Sequence, residues 1–197
     1  MVIFRRRQRI VMGYKTTTDP FVLRGTTDFD ITGTSGFAYG EIDTSLDTLN
    51  REVLLIWEID IQAGDLPRAA INGLLDGAAM NQIVIRDSVL TEKGAFNVAD
   101  NEYIGGQDVQ VLGRGDISSL NGTAILYESK NPDANAMLSV DKVPLAIVTA
   151  STLILRSDFT SSVNLLTTDG RTTNFRIHAQ RAKADADTYA ALVTGLI

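Results

Sequence analysis

The stretch EVLLIWEIDIQ, residues 52–62, reads as the clearest strand of the chain, and its reading decides the fold class. Val53, Leu55, Trp57, Ile59 and Ile61 recur at every second position, which in an extended backbone places them on one face. Leu54 and Ile56 occupy the opposite face, flanked by Glu52, Glu58 and Asp60. A strand buried on one side and partly covered on the other is what a two-sheet sandwich supplies.

Segments of the same kind lie on both sides of it. VLRGTTDFDI (22–31) and GFAYGEID (36–43) precede it, rich in β-branched and aromatic residues and separated by turn residues. QIVIRDSVL (82–90), DVQVLG (108–113), TAILYES (123–129), LSVDKVPLAIV (138–148), TLILRSDF (152–159), SVNLL (162–166) and TNFRIHAQ (173–180) follow, after a loop-rich stretch up to about residue 107. Turn signals such as Asn121-Gly122 and Asp169-Gly170 divide them. Between 66 and 80 a short helical insertion is expected, with Pro67 in its first turn and Ile71, Leu74, Leu75 and Ala78 at helical spacing. Residues 184–197 predict a short C-terminal helix. Many short strands without strand–helix alternation indicate an all-β antiparallel sandwich of about eight strands, of the jelly-roll type. An immunoglobulin-like strand order suits the same count. The expected organisation is an arm and hinge over 1–18, a sandwich over 19–181 and a helical tail over 182–197.

Charge is unevenly placed. The chain carries a formal −6, yet Arg5, Arg6, Arg7, Arg9 and Lys15 give +5 within the first 15 residues, where no acid occurs. The remainder holds 13 basic against 24 acidic side chains, a net −11. The body should repel polyanions while the arm attracts them. The run Ile10-Val11-Met12 is too short for the apolar region of a signal peptide, and no stretch approaches the length of a membrane-spanning helix, so a soluble protein is expected.

Catalytic chemistry finds little footing. The absence of cysteine removes disulfides, thiolate metal sites and cysteine nucleophiles. His178 is the only histidine and shares a strand face with Asn174, Arg176 and Gln180, whereas zinc sites recruit several ligands. No serine sits in a G-x-S-x-G elbow, and no phosphate-binding glycine loop is present. Acid pairs such as Asp28 and Asp30 read as solvated strand edges, although a glycosidase pair needs only two carboxylates in space. Arg114-Gly115-Asp116 matches a short adhesive triplet and is equally good turn chemistry. No enzyme and no cofactor are expected.

The arm has three readings: phosphate contacts by Arg5, Arg6, Arg7, Arg9 and Lys15 with Phe4 free to stack, a solvated terminus, or a segment that settles on a membrane surface or a neighbouring subunit. With FRRRQR, TTTDP and the strands from VLRGTTDFDI to TNFRIHAQ, the layout resembles a single jelly-roll capsid protein of a small icosahedral virus or phage. The resemblance implies a virion protein that self-assembles in many copies, formed in the host cytoplasm or nucleus. It implies an arm that meets the viral genome, minor capsid proteins or an inner membrane surface as further partners, and subunit contacts through Leu192, Leu196 and Ile197. About 60 such arms carry only about 300 charges, far short of a genome of several thousand phosphates, so local contact rather than bulk condensation is their role. A carbohydrate- or receptor-binding module of a virion surface is the alternative, and a jelly-roll glycosidase or lyase a third.

Overall fold

The computed structural model describes residues 13–75, 79–92, 101–116, 119–129, 143–166 and 170–194. Within them the chain runs β1 (Tyr14–Thr16), β2 (Phe21–Asp30), β3 (Gly33–Asp43), a 3-10 turn (Thr48–Asn50), β4 (Glu52–Ala63), α1 (Arg68–Leu74), β5 (Met80–Glu92), β6 (Asn101–Asp116), β7 (Ser119–Ser129), β8 (Ala146–Val148), β9 (Thr152–Leu165), β10 (Gly170–Ala184) and α2 (Ala186–Thr194). One sheet has the order β2-β10-β4-β8, with β1 beside β2 on the same edge of β10, and the other has the order β3-β9-β5-β6-β7. Every pairing is antiparallel. With β1 and β7 set aside and the other eight strands numbered along the chain, the sheets read 1-8-3-6 and 2-7-4-5. That pair of orders, in which successive strands cross between the facing sheets except for the adjacent hairpin 4-5, is the jelly roll, and it excludes the immunoglobulin-like order.

β4 shows why the first sheet needs cover on both sides. Its register against β10 shifts between Glu58 and Ile56, where Trp57 has no partner: His178 faces Glu58 and Ala179 faces Ile56. This bulge moves the two halves of the strand to opposite faces, as a one-residue offset must. The expected single stripe Val53, Leu55, Trp57, Ile59, Ile61 is therefore divided. Ile59 and Ile61 join Leu54 and Ile56 in the core between the sheets, while Val53, Leu55 and Trp57 turn outward under Tyr14, Tyr189 and Leu192. Val53, Leu54, Leu55 and Ile56 are all fully buried, and each contributes roughly 1.5–3 kcal/mol through burial.

The interior is not continuously apolar. One cluster centres on Leu54, Leu155, Phe175 and Ile177, another on Phe29, Ile83, Ile85 and Phe159. Between them Asp87, Ser157, Thr27, Arg171, Thr173 and Gln107 form a buried polar layer spanning both sheets. Asp87 Oδ1 accepts from Ser157 Oγ at 2.6 Å, Thr173 Oγ1 at 3.1 Å and Arg171 Nη1 at 3.3 Å, and Oδ2 accepts from Arg171 Nη2 at 3.2 Å. Arg171 Nε donates to the Gly64 carbonyl at 3.1 Å. With both charges paired and their remaining groups bonded, burial is tolerable.

Several boundaries differ from the sequence reading. α1 ends at Leu74 and β5 has begun by Met80, so the helical insertion is shorter than 66–80. Thr160, Ser161 and Ser162 do not break β9, because Thr160 pairs with Ser35 and Val84, Ser161 pairs with Ile83, and Ser162 Oγ accepts from the Gln82 amide at 2.8 Å. Residues 101–107, expected as loop, are the first half of β6. The glycine there meets a packing demand rather than a turn, since a Cβ on Gly106 would overlap the Asp87 carbonyl. The start of the expected strand 138–148 lies outside the described residues, and β8 occupies its last three positions.

Candidate nucleic-acid interface and the groove at its root

Of the residues expected to meet nucleic acid, Arg5, Arg6, Arg7 and Arg9 lie outside the described residues, as do Leu196 and Ile197 of the expected subunit contact. Lys15 is exposed on β1, and Leu192 is half-buried on α2 against the outward face of β4. The polar segment expected as a hinge runs along β10: the Thr17 amide donates to the Arg181 carbonyl at 2.9 Å, and the Arg181 amide to Thr18 Oγ1 at 3.0 Å.

An open groove of about 720 Å³ lies where β1 meets the end of β10, lined by residues 13–17, Arg51 and residues 183–185. Lys15 stands directly opposite Lys183 in the β1–β10 register. Like charges so placed destabilise a sheet by roughly 0.2–1 kcal/mol. Arg51 closes the 3-10 turn with φ 60 and ψ 34, in the left-handed region. For a residue other than glycine this costs on the order of 1–3 kcal/mol. Its amide donates to the Thr48 carbonyl at 3.2 Å, and its carbonyl accepts from the Ala184 amide at 3.1 Å, which ties the turn to the end of β10.

The carboxylates around the groove are engaged with backbone amides. Asp185 Oδ1 accepts from the Thr188 amide at 2.7 Å, capping α2. The Thr188 hydrogen bonds hold the Asp185 carboxyl below its ordinary range, with a smaller contribution from the Arg51 charge. Asp47 Oδ1 accepts from the Asn50 amide at 3.2 Å, and the Asn50 hydrogen bonds lower its pKa likewise. Glu52 Oε2 accepts from the Asp47 amide at 3.0 Å. Among the described residues Lys15, Arg51 and Lys183 take part in no ion pair; those present join Arg86 to Asp108, Arg156 to Asp158, Arg171 to Asp87 and Arg176 to Asp60.

Solved structures similar to this chain include VP1 proteins of polyomaviruses. The unassembled Washington University polyomavirus VP1 pentamer, as a point mutant, is 10% identical, covering 87% of this chain and 97% of that one with a TM-score of 0.41. The unassembled KI polyomavirus VP1 pentamer is 8% identical over 88% and 99%, with a TM-score of 0.38. VP1 of trichodysplasia spinulosa-associated polyomavirus in complex with GM1 oligosaccharide is 7% identical over 87% and 98%, with a TM-score of 0.36. No protein-family model and no curated protein matches the sequence.

A second surface escaped the sequence reading. Across the outer face of the β3-β9-β5-β6 sheet, one row places Phe37, Asp158, Arg86 and Asp108 side by side, and the next places Tyr39 beside Arg156. Phe37 and Tyr39 are 63% and 53% exposed, with ring centroids 5.1 Å apart, and the Arg156 guanidinium lies 5.8 Å from the Tyr39 ring centre. Arg86 Nε reaches Asp108 Oδ1 at 3.0 Å, and this bond raises the Arg86 pKa. Alternation within FAYGE signals the exposed aromatics, but only strand register sets them beside the charges.

The remaining sequence candidates lie within paired strands, Asp28 and Asp30 in β2 opposite Thr172 and Gly170 among them. His178 is half-buried in β10 opposite Val22 and Glu58. Arg114 and Asp116 of the adhesive triplet belong to β6, paired with Thr123 and Ser119 of β7, instead of tipping an open loop. Among the described residues no group of three or more His, Asp or Glu side chains could hold a metal ion.

Proposed function

We propose that this chain is a structural subunit of a viral shell, a jelly-roll body that self-assembles in many copies and whose arginine-rich arm faces the interior. The observation that carries the reading is charge placed on topology. A five-cation, acid-free segment enters the fold at the end of β10 where Lys15 and Lys183 already stand together, while the remaining chain is strongly acidic. Arg5, Arg6, Arg7, Arg9 and Lys15 contact the genome or a neighbouring subunit through charge, without reading bases. Leu196 and Ile197, with the exposed side of α2 at Val193, reach a neighbour, while Leu192 contributes only the part of its surface that β4 leaves uncovered. The protein acts in the virion and assembles in the host cytoplasm or nucleus.

The test is sedimentation and electron microscopy of the chain expressed alone. Closed particles or capsomer-sized rings are expected, and a monomer at high concentration, whatever the salt, overturns the reading. Removal of residues 1–12 is expected to lower the co-purifying nucleic acid.

The row of Phe37 and Tyr39 beside Arg156, Asp158, Arg86 and Asp108 favours one second reading, a carbohydrate- or receptor-binding module. Exposed rings can take the apolar face of a sugar while carboxylates and guanidinium bond its hydroxyls. Glycan-array binding by a protein that never assembles would select it.

A further inference from the structure

We infer that the groove at the root of the arm is a binding site for the phosphodiester backbone of a nucleic-acid strand, with Arg51 and Lys183 as contacts beside Lys15. This rests on the reading that the arm meets nucleic acid, and it extends that contact from the arm onto the folded body. Three observations carry it.

First, the cations come from three separate elements. Lys15 belongs to β1, Lys183 to β10 and Arg51 to the turn before β4, and all three line one open groove. Second, two local arrangements in this groove work against folding. A lysine faces a lysine across the β1–β10 pair, while Glu52, opposite Lys183 on its β4 side, makes no ion pair with it, and an arginine occupies a left-handed backbone position that glycine or asparagine adopts with less strain. Strain and like charge held together at one place signal a demand other than stability. Third, the carboxylates of Asp47 and Glu52 beside the groove and of Asp185 in its lining are turned to backbone amides of Asn50, Asp47 and Thr188, and they meet the Lys183 and Arg51 charges only at a distance, without an ion pair. The cations thus keep donors available to an outside anion.

Position selects the anion. Gly13, which lines the groove, follows Arg9 by four residues in the sequence, so at most about 14 Å of chain separates the arm's last arginine from the groove. Three donors spread over an open groove match successive phosphates along a strand better than one compact anion, which an enclosed cradle would hold.

The experiment titrates the full chain with a labelled oligothymidylate single strand over a series of salt concentrations. Each cation removed from a phosphate contact is expected to lower the slope of log K against log salt by about 0.7. The pair Arg51→Asn with Lys183→Gln therefore lowers it by about 1.4, and replacing Arg5, Arg6, Arg7 and Arg9 with Gln lowers it by about 2.8. Arg51→Lys keeps the charge and should keep the slope. The thermal midpoint of the groove pair should hold or rise, since asparagine suits the left-handed position and one like charge is gone. A reduced arm slope with an unchanged groove slope overturns the groove and leaves the arm reading standing. An unchanged arm slope, or no binding by the wild-type chain, overturns the arm reading itself. If the groove variant loses assembly while its slope is unchanged, the groove is a subunit contact and the proposal fails.

Discussion

β4 and β5 sit at comparable depth in opposite sheets, yet they treat their two faces differently. On β4, Leu54 points inward and Leu55 outward, and both are fully buried, because α2 and Tyr14 lie over the outward side. On β5, Asp87 points inward and is fully buried, while its neighbour Arg86 points outward and is more than half exposed. Each of these β5 residues belongs to an Arg–Asp pair, Arg171 with Asp87 and Arg86 with Asp108. One pair lies in the dry interior and the other in water. The chain thus covers the outside of one sheet with its own C-terminal helix, whereas the outside of the other carries exposed rings and charges at Phe37, Tyr39, Arg86 and Asp108.

The largest effect is expected where the dry side of β5 is broken. Asp87→Ala leaves Arg171 buried without its counter-ion and should cost about 3–5 kcal/mol in chemical denaturation. Replacing the pair together, Asp87→Leu with Arg171→Met, should cost much less and can be neutral, because no unpaired charge remains. Equal losses for the single and double variants would show that the polar layer, not the unpaired charge, controls the result.

Next in size is the test of the covered face of β4. Leu55→Ala removes a fully buried side chain from beneath α2 and should cost about 2–5 kcal/mol, in the range of Leu54→Ala between the sheets. A loss under about 1 kcal/mol would mean that α2 detaches from the sheet and the cavity collapses.

β4 also shows how far the sequence could be read. Alternation, β-branched content and turn spacing pointed to an antiparallel sandwich, and the strand count suited the jelly roll, because these signals are local. The bulge at Trp57 is not local: it exists through the register with β10, and strict alternation placed Ile59 and Ile61 on the wrong face. The same holds for the sites. Lys15 stands out in the sequence by its charge and position as a candidate, whereas Arg51 and Lys183 join the same groove only when β1 pairs with β10 and the 3-10 turn is tied to Ala184. Asp87 and Arg171 look like surface charges in sequence, 84 residues apart, and only strand order brings them together.

The smallest effect should come from the wet side of β5. Arg86 and Asp108 are 57% and 45% exposed, so water and salt already screen their attraction. Arg86→Ala should change stability by about 0–1 kcal/mol at low salt, and less at high salt. The geometry is bidentate, with Arg86 Nη2 at 3.5 Å from Asp108 Oδ2 as well as the shorter Nε bond, which places the pair toward the upper end of that range. If Arg86→Ala instead costs as much as Asp87→Ala, and salt does not diminish the loss, then the outer face of this sheet is not free in solution. It would then be covered by a second copy of the chain, and the contrast between the two strands would belong to the isolated subunit alone.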